Sequence, residues 1–212
     1  MKQFLTTIVC ILGLCGMQAA KAAAQERAES SISLEYKMVE DRDLYRLMDF
    51  LDVYRLDVKV IGEGLKGREF RVVTVTCKDS VFTETGRERS GIIVSADSDT
   101  LDFIFFARQT CPDTVLLSWT GEGAVYKNKL PVPQSTHPIL METYSDRAYT
   151  AKDSIPIMAY STGQPLEFEM NGEKQTFIHY CGLRDAKVHP REWPAKYGIK
   201  DFVYFYIIFP EE

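Results

Sequence analysis

Between residues 54 and 60, Tyr54, Leu56, Val58 and Val60 alternate with Arg55, Asp57 and Lys59. Side chains on a strand point to alternate faces, so this stretch predicts a strand with one buried and one wet face. Just before it the period is 3.6, not 2. Leu44, Leu47, Met48 and Leu51 recur at i, i+3, i+4 and i+7, which predicts a helix over 41–51. Glu40, Asp41 and Asp43 place negative charge at its start, where the helix dipole favours it. Residues 25–33 are small and polar and predict a flexible lead-in.

Alternation then dominates. Residues 68–77 set Phe70, Val72, Thr74 and Thr76 against Val73, Val75 and Cys77. Residues 92–96 and 101–107 predict a hairpin closed by Asp97-Ser98-Asp99. Residues 115–120 predict a strand ended by Gly121-Glu122-Gly123, with 124–130 pairing back on it. Three prolines between 131 and 138 predict an extended connection, and 139–144 and 155–160 read as strands. Asn171-Gly172 between the apolar runs 166–170 and 174–180 is the strongest hairpin signal, because both turn positions favour positive φ. Residues 190–197 predict one helical turn carrying Trp193.

The chain closes on Phe-Val-Tyr-Phe-Tyr-Ile-Ile-Phe, residues 202–209, in which every residue is aromatic or β-branched. One face carries Phe202, Tyr204, Tyr206 and Ile208, the other Val203, Phe205, Ile207 and Phe209. Neither suits water, so a sheet must cover one face and a helix, loop or partner the other. Pro210 ends the run. Roughly ten short strands and one short helix near the N-terminus predict an all-β chain with minor α content, a β-sandwich or partly closed barrel. No repeat or linker divides it, so residues 25–212 are expected to form a single β-rich domain.

The first 24 residues read as a signal peptide. Lys2 supplies the positive region, 4–17 the apolar one, and Ala22-Ala23-Ala24 a cleavage site before Gln25. The apolar stretch is short for a membrane span, and no transmembrane segment is expected in the mature chain. Cys15 follows Leu14, where a lipoprotein signal would have a small residue. Export to the periplasm, the cell surface or the medium is the expectation. Cleavage takes the net charge from −5 to −7 by removing Lys2 and Lys21. An acidic chain without a basic block argues against nucleic-acid partners. Cleavage also leaves Cys77, Cys111 and Cys181, an odd number at spacings that fit no zinc pattern, so buried thiols are expected.

Few residues carry a chemical suggestion. His179 and Cys181 are two apart on an expected strand, which would let an imidazole activate a thiol, though no third group orients the pair. Asp97, Asp99 and Asp102 cluster as oxygen ligands for a hard cation, but no glycine or terminal glutamate completes a calcium loop, and turn chemistry explains Asp97 and Asp99 without a metal. Tyr204 and Tyr206, with Trp193 or Trp119 nearby, could form an aromatic platform for a sugar ring or a protein. No cofactor motif is present.

Four triplets, Asp79-Ser80-Val81, Asp99-Thr100-Leu101, Asp113-Thr114-Val115 and Asp153-Ser154-Ile155, read aspartate, hydroxyl residue, apolar residue. Average composition predicts about one. They resemble the acceptor motif for O-glycosylation of exported proteins in Bacteroides-type bacteria, with Ser80, Thr100, Thr114 and Ser154 as acceptors. A polar turn pair preceding a strand is the structural alternative. With the signal peptide and the segment Leu-Tyr-Arg-Leu-Met-Asp-Phe-Leu-Asp-Val-Tyr-Arg-Leu at 44–56, the chain is similar to a family of uncharacterised secreted proteins of Bacteroides and its relatives. That resemblance implies export and no site. The expected function is a non-enzymatic binding module of the cell envelope, with a glycan or protein ligand and an open oligomeric state. One alternative is a glycan- or peptide-directed hydrolase using scattered carboxylates. Another is a structural component assembling through its last strand.

Overall fold

The computed structural model describes residues 31–133, 138–143, 146–184 and 187–210. The expected export segment, residues 1–24, lies outside them. The described residues are mostly strand, arranged as antiparallel sheets in a sandwich and not as a closed barrel. The first sheet has the order β1 (Ile32–Lys37), β2 (Tyr54–Gly62), β6 (Thr100–Cys111), β7 (Thr114–Gly121), β8 (Ala124–Pro131). The second runs β4 (Val81–Thr85), β3 (Glu69–Lys78), β13 (Phe202–Ile208), β10 (Ile155–Ser161), β9 (Ile139–Met141), with β5 (Ile92–Ile93) also on β3. The pair β11 (Gln164–Met170) and β12 (Glu173–His179) makes a ribbon of its own.

The alternation seen in the sequence becomes the inter-sheet core. Leu56, Val58 and Val60 of β2 meet Phe103 and Phe105 of β6, Trp119 of β7, and Val203, Phe205 and Ile207 of β13. Phe205 packs on Phe105 at 5.6 Å and Tyr126 at 5.7 Å between ring centres. Asn171 and Gly172 adopt φ of 57° and 81°, the left-handed pair that the turn requires. Pro156 sits in β10 at a register shift, beyond the stretch that β9 covers, so its missing N–H breaks no ladder on that side.

Two expectations change. Strand β5 pairs with Glu69 and Phe70 of β3 and not with β6, so 92–96 and 101–107 form no hairpin. Strand β6 pairs instead with β2 and β7, because its apolar face completes the core of the first sheet. Strand β1 occupies part of the supposed lead-in, and Tyr149 closes its start through paired bonds to Ile32.

The closing strand β13 has β3 on one side and β10 on the other. Both ladders are satisfied, so assembly through the last strand has no open edge to use. Its second face, Phe202, Tyr204 and Tyr206, is covered by the chain itself. Short helix α2 (Cys181–Arg184) contributes Leu183. A 3-10 turn (Pro190–Glu192) leads into α3 (Trp193–Tyr197), which contributes Trp193. Trp193 is fully buried, lies 5.1 Å from the Phe202 ring and donates its indole N–H to the Val188 carbonyl at 3.2 Å. At the rim, Arg191 and Arg87 both pair with Glu84 of β4, and Tyr206 donates to Glu84 at 3.1 Å while accepting from Arg87 at 2.6 Å.

His189 caps this cover: its Nδ1 accepts from the Arg191 backbone N–H at 3.1 Å, which requires an unprotonated nitrogen. Burial first, then the Arg191 charge, holds its pKa below the usual 6.5, with Glu192 opposing and Arg147 adding slightly. A base whose folded pKa is lowered gives stability that is complete above the unfolded pKa and lost as pH falls toward the folded one. Stability should therefore decline below about pH 6.5, and His189→Asn, which keeps a cap acceptor without a titration, should flatten that decline. Urea midpoints at pH 7.5 and 5.0 for both proteins check it; equal declines would reject the assignment.

Candidate functional site

Helix α1 (Arg42–Phe50) forms where its period predicted, with Asp41 as N-cap accepting from Asp43 and Leu44 N–H at 2.9 and 2.8 Å. Its apolar stripe is not buried as a stripe. Met48 is the buried residue of the helix and belongs to neither core cluster, while Leu47 is 54% and Phe50 82% exposed. Tyr45, Leu51 and nearby Met38 are exposed as well. Helix α1 does not cover β13. It stands beside the starts of β2 and β9.

A cleft of about 310 Å³ opens between them, within the range of ligand sites. Helix α1 lines it with Tyr45, Met48 and Asp49, and the turn after the helix with Asp52 and Val53. Strand β2 adds Tyr54 and Arg55, β9 adds Ile139 and Leu140, and α2 adds Arg184. The lining is mainly apolar, with two phenols and four charged side chains.

The charges are not equivalent. Arg55 is held by Asp57 through two bonds of 2.7 Å, and Arg184 lies 3.5 Å from Glu142. Among the described residues, Asp49 and Asp52 form no ion pair, so the uncompensated charge of the cleft is negative. The Tyr54 phenol registers it: burial first, then Asp52 and Asp49, pushes its pKa up.

The backbone aims Asp52. The Val53 N–H bonds to the Met48 carbonyl at 2.9 Å and the Asp52 N–H to Asp49 at 3.2 Å, the paired closure of a helix whose next residue is left-handed. That position is usually glycine; here Asp52 holds φ 52°. A carboxylate held in a conformation that costs about 1 kcal/mol relative to glycine suggests a use for the side chain.

The residues singled out from sequence are elsewhere. Tyr204 and Tyr206 are 1% and 3% exposed. The aromatic row they form with Phe202 exists, but Trp193 and the 3-10 turn lie over it, which removes it as a binding platform. Strand β12 ends at His179 and α2 begins at Cys181, so the two share no strand face. Cys77 is buried, its thiol pushed up to about 11 mainly by burial, whereas Cys111 is exposed. Asp99 pairs with Lys66 and Asp102 with Lys59, while the Asp97 N–H bonds to Ser95 Oγ within the turn. No group of His, Cys, Asp or Glu among the described residues is arranged to hold a metal ion. Ser80, Thr100, Thr114 and Ser154 each stand at or just before the first residue of a strand, β4, β6, β7 and β10. All four positions are those that the strand-opening alternative requires. Ser80 and Ser154 are exposed and Thr100 and Thr114 half-buried.

No helix among the described residues is long and apolar enough to cross a membrane. No family model, curated protein or solved structure matches the chain.

Proposed function

We propose that the protein is an exported, non-enzymatic binding module that takes a polypeptide ligand in the cleft beside α1. The observation that carries this is the lining: mainly apolar, with Tyr45, Tyr54 and two carboxylates, Asp49 and Asp52, that form no ion pair among the described residues. An apolar side chain of the ligand would fill the cleft, and a lysine or arginine a few residues away would meet the two carboxylates. The exposed Leu47, Phe50 and Leu51 extend the contact beyond the cleft. A glycan fits less well, because so apolar a lining leaves most hydroxyl groups without partners. The signal-peptide pattern at residues 1–24 supports export.

A second reading uses the same two residues. Two carboxylates in an open cleft are the minimum set for glycoside hydrolysis, and hydrolysis of oligosaccharides lost in Asp49→Asn and Asp52→Asn would establish it.

The test for the first reading is calorimetric titration with short synthetic peptides alternating Leu or Phe with Lys, with Glu-for-Lys counterparts, and with oligosaccharides. The Lys peptides should bind and the other two should not. Asp52→Gly should weaken binding at least about tenfold while raising stability by about 0.5–1 kcal/mol, which separates loss of the charge from loss of the fold. Equal affinity for Lys and Glu peptides, or binding of oligosaccharides alone, would overturn the polypeptide reading.

A further inference from the structure

The β11–β12 ribbon is held to no other sheet among the described residues. Its register sets Leu166 opposite Phe177, and alternation brings Leu166, Phe168, Met170 and Phe177 to one face. All four are exposed, between 38% and 53%. A two-stranded ribbon is marginal in water, and three or more strands make such a sheet stable.

The two edges differ. In a two-residue hairpin the pair flanking the loop, here Met170 and Glu173, exchanges both hydrogen bonds, and bonding alternates from there. The backbone groups of Pro165, Glu167 and Glu169 on β11, and of Lys174, Thr176 and Ile178 on β12, therefore point outward. On β11 one outward donor is missing at Pro165, and two copies paired about Glu167 would oppose like charges. These are devices that keep an edge from pairing. Strand β12 has neither.

We infer that β12 pairs antiparallel with β12 of a second copy, about a two-fold axis at Thr176, to make a four-stranded sheet. In that register Thr176 meets Thr176, and Lys174 meets Ile178. Every outward N–H and C=O from Lys174 to Ile178 finds a partner. Glu173 faces His179 of the mate and Gln175 faces Phe177, so no like charges are opposed. Registers centred on Glu173 or Lys174 would oppose like charges. The interface is isologous, so it closes as a dimer and does not propagate.

Sedimentation velocity of the purified protein at rising concentration should show the mass moving from one chain toward two. Thr176→Pro removes an outward donor and no bond within the ribbon, so it should stay monomeric throughout. A cysteine at the axis gives an independent reading, because a hydrogen-bonded antiparallel pair is separated by about 5.5 Å between Cα atoms, within disulfide range. In a background carrying both Cys111→Ser and Cys181→Ser, Thr176→Cys should give a cross-linked dimer on mild oxidation. Glu167→Cys in the same background should match that background alone. A wild type that is monomeric throughout, a Thr176→Pro variant that still dimerises, or equal cross-linking at positions 167 and 176 would overturn the pairing.

Discussion

Phe205→Ala is expected to destabilise the protein by about 3–5 kcal/mol, against a total stability of about 5–15 kcal/mol for a domain. Phe205 is fully buried in the central strand of the second sheet and crosses to Phe105 of β6 and Tyr126 of β8. It is therefore a point where the two sheets touch. Truncation forfeits the ring's transfer energy and leaves a cavity that neither ladder of β13 allows to collapse. The check is urea unfolding: the midpoint should fall while the slope stays constant, since the surface exposed on unfolding is unchanged. Phe205→Leu should recover more than half of the loss. A Phe205→Ala cost below about 1 kcal/mol would mean that the inter-sheet core does not run through this residue.

The same strand shows what the sequence could and could not convey. Its apolar character on both faces was legible, and so was the need for two covers. Which segment supplies the second cover was not, because residues 188–199 are mixed in polarity and reach Phe202 and Tyr204 only through tertiary folding. Strands β2, β3, β7, β8 and the Asn171-Gly172 ribbon were legible because alternation and turn chemistry are local. The partner of β6 was not: a turn does form here, at Ser95–Ser98, but β6 pairs with β2, some 45 residues away, and only the completed core selects that pairing. The cleft draws side chains from 38–55, 138–140 and 184, three segments that no local pattern connects. One signal was present. Leu51-Asp52-Val53 joins a helical period directly to a strand period without the glycine that such a junction favours.

Trp193→Ala should cost about 3–5 kcal/mol as well, but by a different route. Trp193 lies outside the inter-sheet core, over the outer face of β13, and its indole N–H ties the cover to Val188. Removing it should open residues 188–199 while the sandwich beneath persists, so limited proteolysis should cut within that segment before the core unfolds. Tyr204 gives a specific reading. Burial pushes its phenol up to about 12, with Arg191 pulling it back in part. An acid whose folded pKa is raised gives stability that is complete below its unfolded pKa, about 10, and lost as pH rises toward the folded value. Once the cover opens, that burial is gone, and Tyr204 should ionise at lower pH. Absorbance at 295 nm during alkaline titration should then be higher in Trp193→Ala than in wild type between about pH 10 and 12, by up to one tyrosine's ionisation, at a pH where far-UV circular dichroism shows the strands intact. Trp193→Phe keeps an aromatic over Phe202 and loses only the hydrogen bond, about 1 kcal/mol, and should titrate nearly as wild type does. Coincident loss of the strands and of the tyrosine shielding in Trp193→Ala would instead make the cover and the sandwich one cooperative unit.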